Sequence, residues 1–225
     1  MQDPKYVKDA FADIADKYVF TNHVLSFGVD ILWRRKVAKM ISSRNPINVL
    51  DIATGSGDLA LEIQKKCPKA EVIGSDFCEP MLQQANKRGL ERTVLADALH
   101  LPFSEDYFDV VTVGFGLRNM ADWSGALTEM FRVLSSGGYL IILDFSLPRG
   151  FISRKLYRFY LHKILPAVAG LITGKRAAYQ YLGGTIESFP SGEDMCTLIG
   201  SNGFNRTKLH PLSGGIATIY SAEKK

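Results

Sequence analysis

The spacing of hydrophobic and polar positions changes near residue 46. Before it, Val7, Phe11, Ile14 and Tyr18 recur at helical intervals, and so do Leu32, Val37, Met40 and Ile41 after a turn at Phe27-Gly28, which predicts two helices. Beyond it, apolar runs at 47–52, 71–75, 93–96, 108–113 and 139–145 alternate with helix-periodic stretches at 58–66, 80–88 and 122–134. Strands alternating with helices predict a parallel, doubly wound α/β sheet.

After Asp144 this alternation is interrupted. Ile152 to Leu165 reads as an amphipathic helix stopped by Pro166, followed by small and apolar residues as far as Gly174. Ser191 with Asp194 three positions on resembles a capping box opening another helix, which ends at Asn202-Gly203. Strands at 204–210 and 216–222, joined by Leu212-Ser213-Gly214-Gly215, predict an antiparallel hairpin that closes a seven-stranded sheet. No linker divides the chain. One domain over 1–225 is expected, with a helical cap over 1–45 and a helical insertion over 147–190.

Composition narrows the class. With 46% apolar residues in 225, the chain is long enough for one sizeable core. Cys67, Cys78 and Cys196 share no C-x-x-C spacing, so a reducing compartment and no metal are expected. No basic-then-apolar leader opens the sequence, and its apolar runs fall short of the roughly 20 residues a bilayer span needs, which predicts a cytoplasmic protein. The net charge of +4 conceals an asymmetry: no Asp or Glu lies between Phe145 and Ile186, where Arg149, Arg154, Lys155, Arg158, Lys163, Lys175 and Arg176 all stand.

Candidate chemistry begins at Val49 to Asp58, VLDIATGSGD, where Gly55, Gly57 and Ala60 make a G-x-G-x-x-A pattern at a strand-to-helix turn. Free N–H groups at such a Rossmann-like turn suit many ribose- or phosphate-bearing ligands. Three carboxylates discriminate among them. Asp51 ends the first strand, where it repels a pyrophosphate and attracts an ammonium. Asp76 ends the second, placed to accept from two ribose hydroxyls. Asp97, with Ala98, ends the third, where a side-chain acceptor and a backbone N–H suit an adenine edge. Ligands of such sheets bind beyond the carboxyl ends of the strands, so the three converge on one crevice. A cationic, phosphate-free nucleoside, S-adenosylmethionine, fits that charge pattern.

VLDIATGSGD, GSDF, DALHLPF and RVLSSGG resemble successive motifs of class I methyltransferases, with Ala53 in place of the usual first glycine. Tyr18 to Trp33, FGLRNMAD after the fourth strand, YQYLGGTIESFP and LSGGIATIY resemble the UbiE-like methyltransferases of ubiquinone and menaquinone biosynthesis over nearly the whole chain. Departures from that pattern are Val19 for Asp, Thr21 for Met, Asp30 for His, Ser135-Ser136 for Lys-Pro and Asp144 for Glu. The resemblance implies a class I methyltransferase fold with S-adenosylmethionine against Asp51, Gly55, Ser56, Gly57, Asp76, Asp97, Ala98 and Gly114.

It also implies methyl transfer to a ring carbon of a membrane-resident polyprenyl quinol, demethylmenaquinol being preferred and the ubiquinone-pathway benzoquinol the alternative. Carbon is nucleophilic there only on an electron-rich ring, best as a phenolate, so Arg118 is expected to stabilise the oxyanion and Asn119 to orient it. None of His23, His100, His162 and His210 is placed as a base, although His210 could approach the acceptor. Residues 149–176 could meet a lipid surface through their cations and interleaved apolar side chains. Three rivals remain at this stage: an NAD-dependent oxidoreductase, a nucleic-acid methyltransferase and a non-catalytic binding module. The first lacks a Tyr-x-x-x-Lys pair and the second lacks Asn-Pro-Pro-Tyr or a catalytic cysteine after the fourth strand, so no nucleic acid is expected. The third is hard to reconcile with intact cofactor carboxylates.

Overall fold

A computed structural model of the chain describes residues 26, 28–173 and 183–225. The helix expected over Val7 to Tyr18 lies outside the described residues. Helix α1 (Val29–Ser42) follows Gly28, whose φ of 72° suits a residue without a Cβ. It buries Trp33, Val37, Ala38 and Ile41. Leu32, expected on the same face, is exposed, because it lies about 100° round the helix from Trp33.

Strands β1 (Asn48–Ile52), β2 (Glu71–Asp76), β3 (Arg92–Leu95), β4 (Phe108–Gly114), β5 (Leu134–Phe145), β6 (Asn205–Leu212) and β7 (Ala217–Glu223) form one sheet in the order β3-β2-β1-β4-β5-β7-β6. The first five run parallel, and β7 lies antiparallel between β5 and β6. Helices α2 (Asp58–Lys66), α3 (Glu79–Lys87) and α4 (Trp123–Val133) make the crossovers. Adjacent strand residues feed opposite layers. Val111 and Ile142 pack with α4, while Val110 and Ile141 pack with α1 and α2. Each large apolar side chain so buried contributes about 1.5–3 kcal/mol. Strand order reverses between β1 and β4, which opens a crevice at their carboxyl ends.

The insertion departs from expectation at Pro166. The chain is helical from α5 (Phe151–Phe159) through a π-turn (Tyr160–Ile164) into α6 (Leu165–Thr173), so Pro166 does not stop it. The wider π-turn ends just before Pro166, so the proline falls in a new first turn, where its missing N–H has no ladder partner to lose. Helix α7 covers 183–188 and α8 Glu193–Ser201. Ser191 does not cap α8: the cap residue is Gly192, with φ 65° and its N–H donated to the Tyr220 hydroxyl at 2.8 Å. The hairpin forms as the turn residues predict, with Ser213–Gly215 between β6 and β7.

Candidate active site

The glycine turn is built for close approach. Gly55 and Gly57 adopt φ of 56° and 82°, and a Cβ on them would stand 3.2 Å from Met81 Cε and 3.1 Å from Ala85 Cβ. Ala53, in the place of a usual glycine, also takes φ 51°, which an alanine adopts at a cost of about 1–2 kcal/mol. Its methyl is accommodated because Gly116 has none: a Cβ there would lie 2.5 Å from Ala53 Cβ.

Asp51 and Asp76 are both buried beside this turn. Asp51 accepts from the hydroxyls of Thr54 and Thr112, each at 2.7 Å. Burial raises its proton affinity most, to a pKa of about 6, against the lowering effect of those hydroxyls and of Arg34; the charge of Asp76 adds to the rise. Asp76 accepts from the backbone N–H groups of Gly55 at 2.8 Å and Cys78 at 2.9 Å, and burial again pushes its pKa up. Among the described residues neither carboxylate has an ion-pair partner, an arrangement that favours a cationic ligand.

Asp97 lies just past β3 and is exposed, its Oδ1 accepting from Leu99 N–H at 2.9 Å, with the half-buried Ala98 beside it. Ser56 is buried, its hydroxyl directed to Asp58 at 3.3 Å and its carbonyl accepting from Arg88 at 2.8 Å. Gly114 ends β4, where a Cβ would meet Leu59 Cδ2 at 3.0 Å. Asp97, Asp76, Asp51 and Gly114 thus mark the carboxyl ends of four neighbouring strands, three spacings or about 14 Å across. That length accommodates a nucleoside carrying an amino-acid arm.

On the β4–β5 side, Arg118 in a single 3₁₀ turn (Leu117–Asn119) is 3% exposed and pairs with the buried Asp144, Nη1 to Oδ1 at 2.8 Å. Its Nη1 also donates to the Phe115 carbonyl, and its Nε–H has no acceptor among the described residues. Asn119 follows on the same turn, half-exposed. Phe115, with the unusual φ of 59° for a bulky residue, packs at 4.6 Å on Phe145 and at 6.1 Å on Trp33. Guanidinium groups flank this cluster, Arg34 at 5.2 Å from the Phe115 ring and Arg118 at 5.2 Å from the Phe145 ring. Tyr157 on α5 is close enough for the charge of Arg118 to favour its ionised form, although burial, the larger influence, and Tyr160 raise its pKa.

His210 lies two strands from β5, on β6, where burial, then Lys36 and Lys208, lower its pKa. Sequence reading passed over Thr54 and Thr112, although a threonine inside the apolar run 108–113 is itself a polar signal. It also passed over a chain of charges that runs outward from the buried pair of Asp30 and Arg34, Arg34 to Asp58 at 3.9 Å and Asp58 to Arg88 at 2.7 Å, whose first link is an i,i+4 pair legible in α1.

Residues 1–224 match the model of the ubiE/COQ5 methyltransferase family. A demethylmenaquinone methyltransferase of Thermus thermophilus is 42% identical over 219 residues, spanning 95% of this chain and 99% of the relative. The ubiquinone/menaquinone biosynthesis C-methyltransferase UbiE of Geobacter sulfurreducens is 42% identical over 226 residues, spanning 97% and 88%. In fold, the chain is similar to a solved S-adenosylmethionine-dependent methyltransferase of Thermotoga maritima, a possible histamine N-methyltransferase, with TM-score 0.68, 21% identity and 96% and 99% coverage. A row of strand-end carboxylates and a family match over residues 1–224 lead to one conclusion: the chain belongs to the ubiE/COQ5 methyltransferase family, and is an S-adenosylmethionine-dependent methyltransferase.

Proposed function

We propose that this chain methylates a ring carbon of a reduced polyprenyl quinone, with demethylmenaquinol as acceptor. The observation that carries the reading is the buried Arg118, whose unpaired Nε–H stands beside aromatic side chains at the end of β4, next to the cofactor carboxylates. The relatives' names give the acceptor its class. S-adenosylmethionine supplies a sulfonium that already activates the methyl group. The chain therefore has to bind, orient and exclude water. Asp51 holds the ammonium of the methionine arm, Asp76 the ribose, and Asp97 with Ala98 the adenine edge, while Gly55, Ser56, Gly57 and Gly114 let the backbone approach. Arg118 stabilises the acceptor's phenolate, Asn119 orients it, and Asp144 fixes the guanidinium.

Purified protein given methyl-labelled S-adenosylmethionine should transfer label to demethylmenaquinol in detergent. Label entering a polyprenyl benzoquinol alone would favour the ubiquinone pathway, which the Geobacter relative's name also covers. Label in neither acceptor would end the reading.

The acceptor's tail puts it in a lipid phase, and the insertion supports a peripheral encounter there. Across α5, the π-turn and α6, Tyr157, Leu161, Leu165 and Ala169 face inward at four-residue spacing. The opposite face exposes Phe151, Ile152 and Leu156 by 83%, 73% and 65%, with Phe159, Ile164 and Val168 beyond them and Arg154, Lys155 and Lys163 alongside. Among the described residues no helix is long and apolar enough to cross a membrane. A helix that is apolar outward and flanked by cations fits the surface of an anionic bilayer. Flotation with anionic vesicles should carry the protein upward. Sedimentation without them would reject this contact.

A further inference from the structure

Helix α1 brings a cation to the cofactor side of the crevice that the roles above leave unused. Arg34 is 8% exposed and pairs through Nη1 with Asp30, one turn earlier on the same helix. Its Nη2 lies 3.9 Å from Asp58, beyond hydrogen-bond distance, at the start of α2. Among the described residues neither Nε nor Nη2 donates a hydrogen bond. Nor are those nitrogens fully enclosed, unlike the Nε of Arg118. The guanidinium lies over Phe115, at the end of β4, and its charge is felt at Asp51.

Charge balance defines what that open edge can take. Asp30 pairs with Arg34 and Asp58 with Arg88, which leaves Asp51 and Asp76 as the buried carboxylates of the cradle without an ion-pair partner among the described residues, with Asp97 exposed at its far end. Asp51 suits the ammonium of S-adenosylmethionine and Asp76 its ribose, but the α-carboxylate on the same methionine arm then needs a cation of its own. Arg88, the other cation at this turn, is one-third exposed and committed to Asp58 at 2.7 Å and to the Ser56 carbonyl at 2.8 Å. Arg34 alone of the two keeps a planar pair of donors suited to a carboxylate.

We propose that Arg34 clamps the α-carboxylate of the cofactor's methionine arm through its Nε–Nη2 edge, and that Asp30 is the positioning residue that holds the guanidinium in place. Asp30 stands where the family pattern resembled by this chain has His, so the aspartate has a defined task here: it fixes a full negative charge against Arg34, with Ser26 donating to it at 2.6 Å. The inference rests on the methyltransferase reading and adds to it a ligand for the one anionic group of the cofactor.

Titration calorimetry with S-adenosylhomocysteine and with its decarboxylated analogue tests the clamp without any turnover. Arg34→Met should weaken binding of S-adenosylhomocysteine about ten- to hundredfold, the range of a hydrogen-bonded charge pair, and change affinity for the decarboxylated compound by less than about threefold. Because that variant removes the arginine paired with Asp30, Arg34→Met with Asp30→Leu removes both members of the pair and should discriminate in the same way. Equal weakening of both ligands in either folded variant, or no weakening, overturns the clamp. Wild-type protein that binds neither ligand overturns the methyltransferase reading instead.

Discussion

Asp51 is a carboxylate held ionised at a cost. Its folded pKa of about 6 lies above the ordinary value of 3.8, so the native state binds its proton more tightly than the unfolded chain does. This group's contribution to stability therefore falls as pH rises from about 4 to about 6, and the full penalty is present at neutral pH. Asp51→Asn should accordingly raise the unfolding free energy at pH 7.5 by roughly 1–3 kcal/mol, read by urea denaturation, while removing the negative charge proposed to face the ammonium. Affinity for S-adenosylmethionine should drop about tenfold between pH 7 and pH 5 in wild type and show no such slope in the variant. A flat wild-type profile would take Asp51 out of ligand binding. Arg118 behaves differently because its charge is compensated. Arg118→Ala strands Asp144 and should destabilise the fold by about 3–5 kcal/mol, whereas Arg118→Met with Asp144→Leu should recover most of that loss. Methyl transfer should fail in both while cofactor affinity persists; turnover in the balanced pair would assign the arginine a purely structural place.

At the scale of elements, two loops interlock around the crevice. The β1–α2 turn carries Ala53 at a positive φ, and the turn after β4 carries Gly116 against its methyl. Gly116→Ala should cost about 1–3 kcal/mol by overpacking. Ala53→Gly should be nearly neutral, since relief of the strained φ offsets the extra freedom of glycine in the unfolded chain. Ala53→Gly should then restore much of the Gly116→Ala loss, read as non-additive urea midpoints; strict additivity would show that the loops do not touch. The chain's periodicity foretold a glycine turn after β1 and an apolar run over 108–113, but neither Gly116 nor its contact with Ala53. Strands, crossovers and the hairpin were legible because burial on both faces demands continuous apolar runs and because turn residues have few conformations. The reading failed where a tertiary partner decided the outcome. Pro166 is tolerated because a π-turn precedes it, and Ser191 is bypassed because Gly192 finds the Tyr220 hydroxyl. Among the candidate site residues, the carboxylates' places at strand ends could be read from spacing alone. Arg34 could not, since an arginine in a helical stretch reads as solvated until the fold places Asp58 beside it.

For the whole molecule, the insertion is a helix with two faces. Its inner side carries Tyr157 toward Arg118, and its outer side carries Phe151, Ile152 and Leu156 into solvent. An apolar side chain leaving water contributes about 1.5–3 kcal/mol when fully buried, so three of them partly immersed in a bilayer give several kilocalories of attachment, to which the neighbouring cations add on anionic lipid. If the proposed bilayer contact holds, replacing all three by serine should remove most of that attachment without touching the inward residues that hold the helix down. The triple variant should keep its melting temperature within a few degrees and transfer methyl at the wild-type rate to a tail-less, water-soluble naphthoquinol. With a long-tailed acceptor embedded in anionic vesicles, its kcat/KM should fall at least about tenfold, and raising the salt concentration should weaken the wild type further by screening the cations. Equal loss on both acceptors would mean that the outer face shapes the active site rather than the encounter. Equal retention on both would mean that the acceptor reaches Arg118 by a route independent of this helix.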